Sequence, residues 1–278
     1  MRSNRKISTF LLAASLALAA SCSTTSTRET TAAALDNILA SSHRSGENSA
    51  RDRYRHPKET LLFFGIRPEM RVLEIWPEPG WYTEILAPLV HEHGKYYAAV
   101  IAADPQSRYV AQRLSDYQQK LASNPAMYGG VEVVTFPTDG SDVVPPGSLD
   151  MVVTFRNIHN WMASDFAGQA FATAYRALKP GGILGVVEHR GNPAVAQDPR
   201  AKSGYVNEDY AIRLIEGQGF RLVGKSQVNA NPQDTKDYEQ GVWTLPPTYR
   251  LGDKDREKYA QIGESDRFTL KFIKPEQR

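Results

Sequence analysis

The sequence predicts an open, doubly wound α/β sheet. Two observations predict it. From about residue 51 onward, short runs of nearly continuous apolar residues alternate with segments of helical apolar spacing, and Pro, Gly or polar clusters separate them. Strands that read apolar on both faces belong to parallel sheets covered by helices on both sides. Ligands of such sheets bind beyond the carboxyl ends of the strands, near the point where strand order reverses.

The elements follow in order. Arg71–Ile75 is a first strand, ended by Trp76-Pro77. Tyr82–His91 has helical spacing and stops at Gly94. Tyr96–Ala102 is a second strand, ended by Asp104-Pro105, and Pro105–Leu121 is a polar-faced helix. Val131–Phe136 and Asp150–Phe155 are the third and fourth strands. Phe166, Ala170, Ala174 and Leu178 recur every four residues, with Ser164 as N-cap and Lys179-Pro180-Gly181-Gly182 as the stop. Ile183–Glu188 is a fifth strand. Asn207 caps a helix ending at Gly217 and Gly219, Phe220–Gly224 begins a sixth strand, and Phe268–Ile273 is the last. Residues 229–262 break the rhythm with three prolines and six acids, and read as an insertion packed by Trp243 and Tyr249 that can act as a lid.

Of the 278 residues, 41% are hydrophobic and 23% charged, which excludes collagen-like, coiled-coil and wholly disordered chains. Arg2, Arg5 and Lys6 precede an apolar run from Ile7 to Ala20, too short to span a bilayer comfortably and built like a signal peptide. Ala19-Ala20-Ser21-Cys22 then resembles the lipobox of a bacterial lipoprotein. We therefore expect a signal peptide over 1–21, a flexible tether over 22–50 rich in Ser, Thr, Ala and Asn with one helical patch around Ala32–Leu39, and one domain over 51–278. Lipidation at Cys22, followed by Ser23, implies the periplasmic face of the outer membrane, with a soluble periplasmic protein as the alternative. Cys22 is the single cysteine, so the remaining chain has no internal disulfide, no Cys-based zinc site and no catalytic thiol. Without the leader, 30 basic residues face 31 acidic ones. A phosphate-backbone binder needs a basic surplus, so no nucleic-acid partner is expected.

The residues just after each strand are the candidates for chemistry. Glu74 is a carboxylate inside an apolar strand and needs a partner: it organises the turn, receives a ligand's ammonium, or caps local N–H groups. In the turn Trp76–Thr83 only Gly80 suits close approach of backbone to a ligand. Asp104 reads as an acceptor for ribose hydroxyls or as a helix N-cap, and Asp139 as an acceptor for an adenine amino group or as a turn residue. The fourth strand empties into Arg156, Asn157, Ile158, His159, Asn160 and Trp161, the densest polar cluster of the chain. Such a set can bind, orient and exchange protons with a substrate. His189, after the fifth strand, is a second candidate base. His159, Glu188 and His189 have no metal-motif spacing, and no metal is expected. The absence of a GxSxG elbow and of a P-loop argues against hydrolase and NTPase chemistry.

The order of segments resembles the class I S-adenosylmethionine-dependent methyltransferases. Val72-Leu73-Glu74-Ile75 with Gly80, then Ser148-Leu149-Asp150-Met151-Val152-Val153, then Ala177-Leu178-Lys179-Pro180-Gly181-Gly182, then Gly219-Phe220 carry the resemblance, over roughly residues 57–274. Gly80-Trp81-Tyr82-Thr83-Glu84-Ile85-Leu86-Ala87-Pro88 and the ending Asp266-Arg267-Phe268-Thr269-Leu270 are also similar to a bacterial group of exported predicted methyltransferases. The resemblance implies a Rossmann-like sheet of seven strands, mostly parallel, with an antiparallel last strand beside the fifth. It implies S-adenosylmethionine as cofactor, Glu74 and Gly80 at its methionine end, Asp104 at the ribose and Asp139 at the adenine. Trp76 and Glu78 stand where the family has its first two glycines, which implies weaker cofactor affinity or a different ligand. The expected activity is methyl transfer to a small acceptor, with His159 or His189 as base and Arg156, Asn157, Asn160 and Trp161 positioning it. The alternative is a lipid-anchored binding protein that keeps the fold without catalysis.

Overall fold

The computed structural model describes residues 28–104 and 106–276; the expected leader and Cys22 lie outside them. Among the described residues, seven strands form one sheet: β1 Arg71–Ile75, β2 Lys95–Val100, β3 Glu132–Thr135, β4 Leu149–Phe155, β5 Leu178–His189, β6 Arg221–Ser226 and β7 Arg267–Ile273. Their order is β3-β2-β1-β4-β5-β7-β6. All pairs are parallel except those of β7, which runs antiparallel to both β5 and β6. This is the topology that the resemblance implies.

The strand residues alternate between two cores, as a sheet covered on both faces requires. Leu73, Ile75, Val152 and Leu184 face α8 (Ile158–Ala163), α9 (Ala167–Ala177) and α10 (Glu208–Glu216), joining Trp161, Phe171, Ala174 and Ile215. Val72, Tyr96, Ala98, Met151 and Val153 face α4 (Pro57–Phe64), α5 (Thr83–Val90) and α6 (Arg108–Ser123), joining Leu61, Phe64, Ile85, Leu86 and Tyr117. A side chain at Gly185 would start 2.6 Å from the Phe64 ring, so α4 sits on β5 only because that residue is glycine.

Three expectations are corrected. Residues 28–50 do not form a free tether. A helix through 28–39 buries Leu35 completely in the second core, and the short α2 (Gly46–Ser49) and α3 (Asp52–Arg55) follow. Arg44 pairs with Asp52 and lies 3.6 Å from Glu84 of α5, so this segment is part of the domain. The fifth strand begins before Ile183: α9 stops at Ala177, and Leu178 already pairs with Leu149 at the start of β5. Ser164 is the C-cap of α8, while Phe166 is the N-cap of α9.

The chain leaves β1 toward β2 and β3 on one side, and β4 lies on the other side of β1. The switch point is therefore the β1–β4 gap, where Ile75 pairs with Thr154. The two segments emptying there are Trp76–Gly80 and Arg156–Asn160.

Candidate active site

Glu74, the fourth residue of β1, is buried, and its Oε2 accepts from the Tyr96 hydroxyl at 2.6 Å. Burial pushes this carboxyl up to about 8, against the opposing effect of the Tyr96 hydrogen bond. Trp76 follows at φ +52, a conformation that favours glycine and costs other residues about 1–2 kcal/mol. Its ring stacks at 10° on Phe166 and meets Trp161 edge-on. Trp76 thus keeps a glycine-like backbone while its ring packs toward α8 and α9. Gly80, at φ +91, leaves room for α6: a Cβ there would start 2.8 Å from the Lys120 side chain. Glu78 is buried at the end of β2, its Oε1 accepting from Ile101 N–H at 3.0 Å. Burial raises its carboxyl as well.

Across the switch point, Arg156 sits at φ +62, held by its N–H to Val187 O at 2.7 Å. Asn157 donates to Ile75 O at 2.9 Å and Thr154 Oγ1 at 3.1 Å, tying the two strand ends together. His159 opens α8. Its N–H reaches Glu188 Oε2 at 3.2 Å and its Nδ1 lies 3.1 Å from Glu188 Oε1. Glu188 is fully buried and also accepts from His189 N–H at 2.8 Å. An Nδ1–H donated to that carboxylate leaves Nε2 of His159 as the free base. The His189 ring lies 5.3 Å away, with Nδ1 2.6 Å from Ser265 Oγ. Burial, then His159 and Arg267, hold His189 well below the ordinary histidine range, so it stays neutral.

These segments line one cavity of about 570 Å³, within the size range of small-molecule sites. The structure brings Glu74, Arg156, Asn157, His159, Asn160 and His189 together on its wall. Gly80, Asp104, Asp139 and Trp161 do not line it. Asp104 and Asp139 are exposed and accept from the backbone of Gln106 and Ser141 in local turns. Trp161 is wholly buried between Trp76 and Phe171. The insertion contributes Trp243, Pro246 and Pro247, with Trp243 edge-on to His159.

Sequence reasoning missed a third group. Arg51 and Arg55, from the segment around α3, meet Glu264 and Arg267 from the chain's other end in the same wall. Glu264 accepts from Arg51 Nε at 2.6 Å and Arg55 Nε at 3.1 Å, and pairs closely with Arg267. Burial opposes its ionisation, but Arg267, Arg55, Arg51 and Arg156 outweigh it and hold the carboxyl far below its usual range. The i, i+4 spacing of Arg51 and Arg55 was the only cue to them in the sequence.

His159, Glu188 and His189 offer ligand atoms within 4.8 Å of one another. The Glu188 oxygens already take three N–H donors, and Arg55, Arg156 and Arg267 set a positive field on His189. The arrangement suits a carboxylate-oriented base better than a cation.

Residues 78–186 match the family model of the methyltransferase domain. Two curated relatives, each named ribosomal RNA large subunit methyltransferase E and from strains of Acidithiobacillus ferrooxidans, are 30% identical over 166 residues, covering 54% of this chain and 71% of the relative. Among solved structures, a SAM-dependent methyltransferase from Aquifex aeolicus aligns with a TM-score of 0.55 at 17% identity, over 81% of this chain and 93% of that one. The [4+2]-cyclase SpnF aligns at 0.56 and 16% identity, over 86% of each chain. These structural likenesses show the fold. With the curated relatives, they establish that the chain belongs to the class I S-adenosylmethionine-dependent methyltransferases. It is an enzyme of that class, and S-adenosylmethionine is its cofactor.

The residues present fit that cofactor. Glu74 lines the cavity, and its Oε1 has no hydrogen-bond partner among the described residues, so it is open to an ammonium. Glu78, rather than Asp104, sets a carboxylate in the wall beside the end of β2, where this fold receives a ribose diol. The buried Trp76 Nε1–H has no acceptor among the described residues.

Proposed function

We propose that the enzyme methylates a small acceptor at a hydroxyl or amine, with His159 as the base. The observation that carries this reading is the buried Glu188 carboxylate 3.1 Å from His159 Nδ1 in the cavity wall. When bound, S-adenosylmethionine supplies an electrophilic methyl group. Glu74 would hold its ammonium and Glu78 its ribose. His159 Nε2 takes the proton from the acceptor's O–H or N–H, freeing a lone pair for in-line attack, and Glu188 stabilises the resulting imidazolium. Asn157 fixes the turn that carries His159, and Asn160 offers the acceptor a polar contact. Release of S-adenosylhomocysteine across a panel of small hydroxyl and amine compounds identifies the acceptor. His159→Ala should then lower turnover by about 10²-fold or more. Unchanged turnover would remove His159 from base catalysis.

An RNA acceptor is the second reading, favoured by the name of the curated relatives. The volume of the cavity, about 570 Å³, and the near balance of charge favour the small acceptor. Binding to an rRNA fragment that falls steeply with salt would reverse that choice.

The reading includes export. Its support is the basic start, the apolar run and the small residues before Cys22. No helix among the described residues is long and apolar enough to cross a membrane. A palmitate analogue should label the wild type and not Cys22→Ser. Equal labelling would end the lipoprotein reading, and mature protein in the cytosol would end export.

A further inference from the structure

The arginines of the cavity outnumber the groups that neutralise them. Arg51, Arg55, Arg156 and Arg267 surround one carboxylate, Glu264. Arg55 is 3% exposed, yet among the described residues its Nη1 and Nη2 have no acceptor, and Arg51 Nη2 has none either. The Arg156 side chain makes no hydrogen bond or ion pair with the described residues, although it too lines the cavity. Burying a guanidinium without a partner is costly, because removal from water is offset only by charge pairing and hydrogen bonds. Four guanidiniums share one carboxylate here, and although the Trp81 ring lies 4.7 Å from Arg55, the excess of positive charge and free N–H donors in one wall marks a place for an anion. Guanidinium forks match the planar or tetrahedral oxygens of carboxylates and phosphates.

The location says which ligand. Arg267 Nε donates to Ser265 Oγ at 3.3 Å, and the same oxygen lies 2.6 Å from His189 Nδ1. The arginine group is thus continuous with the histidine end of the cavity. We infer that the acceptor carries an acidic group, a carboxylate or a phosphate, held by Arg51, Arg55 and Arg156 beside His159. This inference rests on the proposed reading that His159 faces the acceptor, and the anion site itself is testable without it.

The full-length chain, saturated with S-adenosylhomocysteine, should be titrated calorimetrically with inorganic phosphate and separately with acetate. The result expected is saturable binding of one of them, which also says which acid the site prefers. Arg55→Gln and Arg156→Gln, from different segments, should each weaken it at least tenfold, while Arg55→Lys keeps part of it. The same anion should raise the melting temperature of the wild type more than that of either variant, because an ion that binds only the folded site stabilises by mass action. That differential survives even where one variant folds poorly. No saturable binding, or equal binding in both Gln variants, overturns the inference. So does loss of S-adenosylhomocysteine affinity in those variants, which would assign the arginines to the cofactor's own carboxylate. His159→Ala should bind the anion like the wild type. If its turnover is also unchanged, the base reading fails while the anion site stands.

Discussion

At the β1–β2 end of the cavity stand two carboxyls, Glu74 and Glu78, with one guanidinium, Arg113, donating to the Glu78 carbonyl. At the β4–β5 end four guanidiniums, of Arg51, Arg55, Arg156 and Arg267, surround one carboxylate, Glu264, beside two histidines. The two ends also differ in origin. The first is built by one strand and its turn, with Trp76 taking over a glycine's backbone at φ +52. The second is assembled from four parts of the chain, with Arg51 and Glu264 lying 213 residues apart in sequence. On the reading proposed above, the difference teaches that the end that takes the cofactor keeps a glycine's backbone geometry with Trp76 in its place. The end that takes the acceptor is then where the chain brings in groups from distant segments.

The sharpest way to break the comparison is at the histidine end. Besides the loss in His159→Ala, Glu188→Gln should lower turnover by roughly 10-fold or more, because the imidazolium loses its counter-charge. Neither change should move cofactor affinity. A Glu188→Gln enzyme with full turnover and reduced cofactor binding would assign Glu188 to the other end.

The acidic end is tested next. Restoring glycine at position 78 looks, from the sequence, like removal of a repulsive charge. In the folded protein the Glu78 carboxylate lies against the end of β2. Glu78→Gly should therefore weaken S-adenosylmethionine binding by about tenfold, the worth of a charge-assisted hydrogen bond. Tighter binding, seen by calorimetry, would mean the carboxylate repels the cofactor after all.

Stability against pH separates the ends more gently. The Glu74 carboxyl is raised to about 8, so the unliganded protein loses stability as pH climbs from the ordinary carboxylate range toward 8. Glu74→Gln should flatten that decline and melt a few degrees higher at pH 8. His189 is held below its ordinary value, so its contribution is present above about pH 6.5 and lost as pH falls. His189→Gln should flatten the acid side. Melting curves from pH 5 to 9 read both, and identical slopes in wild type and variants would contradict the burial argument.

Much of the sheet was legible because apolar runs and their punctuation set strand ends directly. Arg71–Ile75 needed no adjustment, and the other strands moved by a few residues. The candidate base and Glu74 were legible because each stands at or beside a strand's carboxyl end. Trp161, expected to position the acceptor, lies buried outside the cavity wall, where Ile158, Trp161 and Met162 share a helical face, the spacing of core residues. Asp104 falls in an exposed turn because β2 ends at Val100, and the carboxylate beside that strand end is Glu78. The arginine group was not legible, because no local pattern joins the residues around 51–55 to those at 264–267.

The most direct test of this division is one calorimetric series: S-adenosylhomocysteine titrated into the wild type, Glu74→Gln and His159→Ala. Binding in the wild type, an affinity at least about tenfold weaker in Glu74→Gln, and an affinity within twofold of wild type in His159→Ala are the results expected. Binding unchanged in Glu74→Gln but lost in a well-folded His159→Ala would contradict the account, because it would put the cofactor at the histidine end.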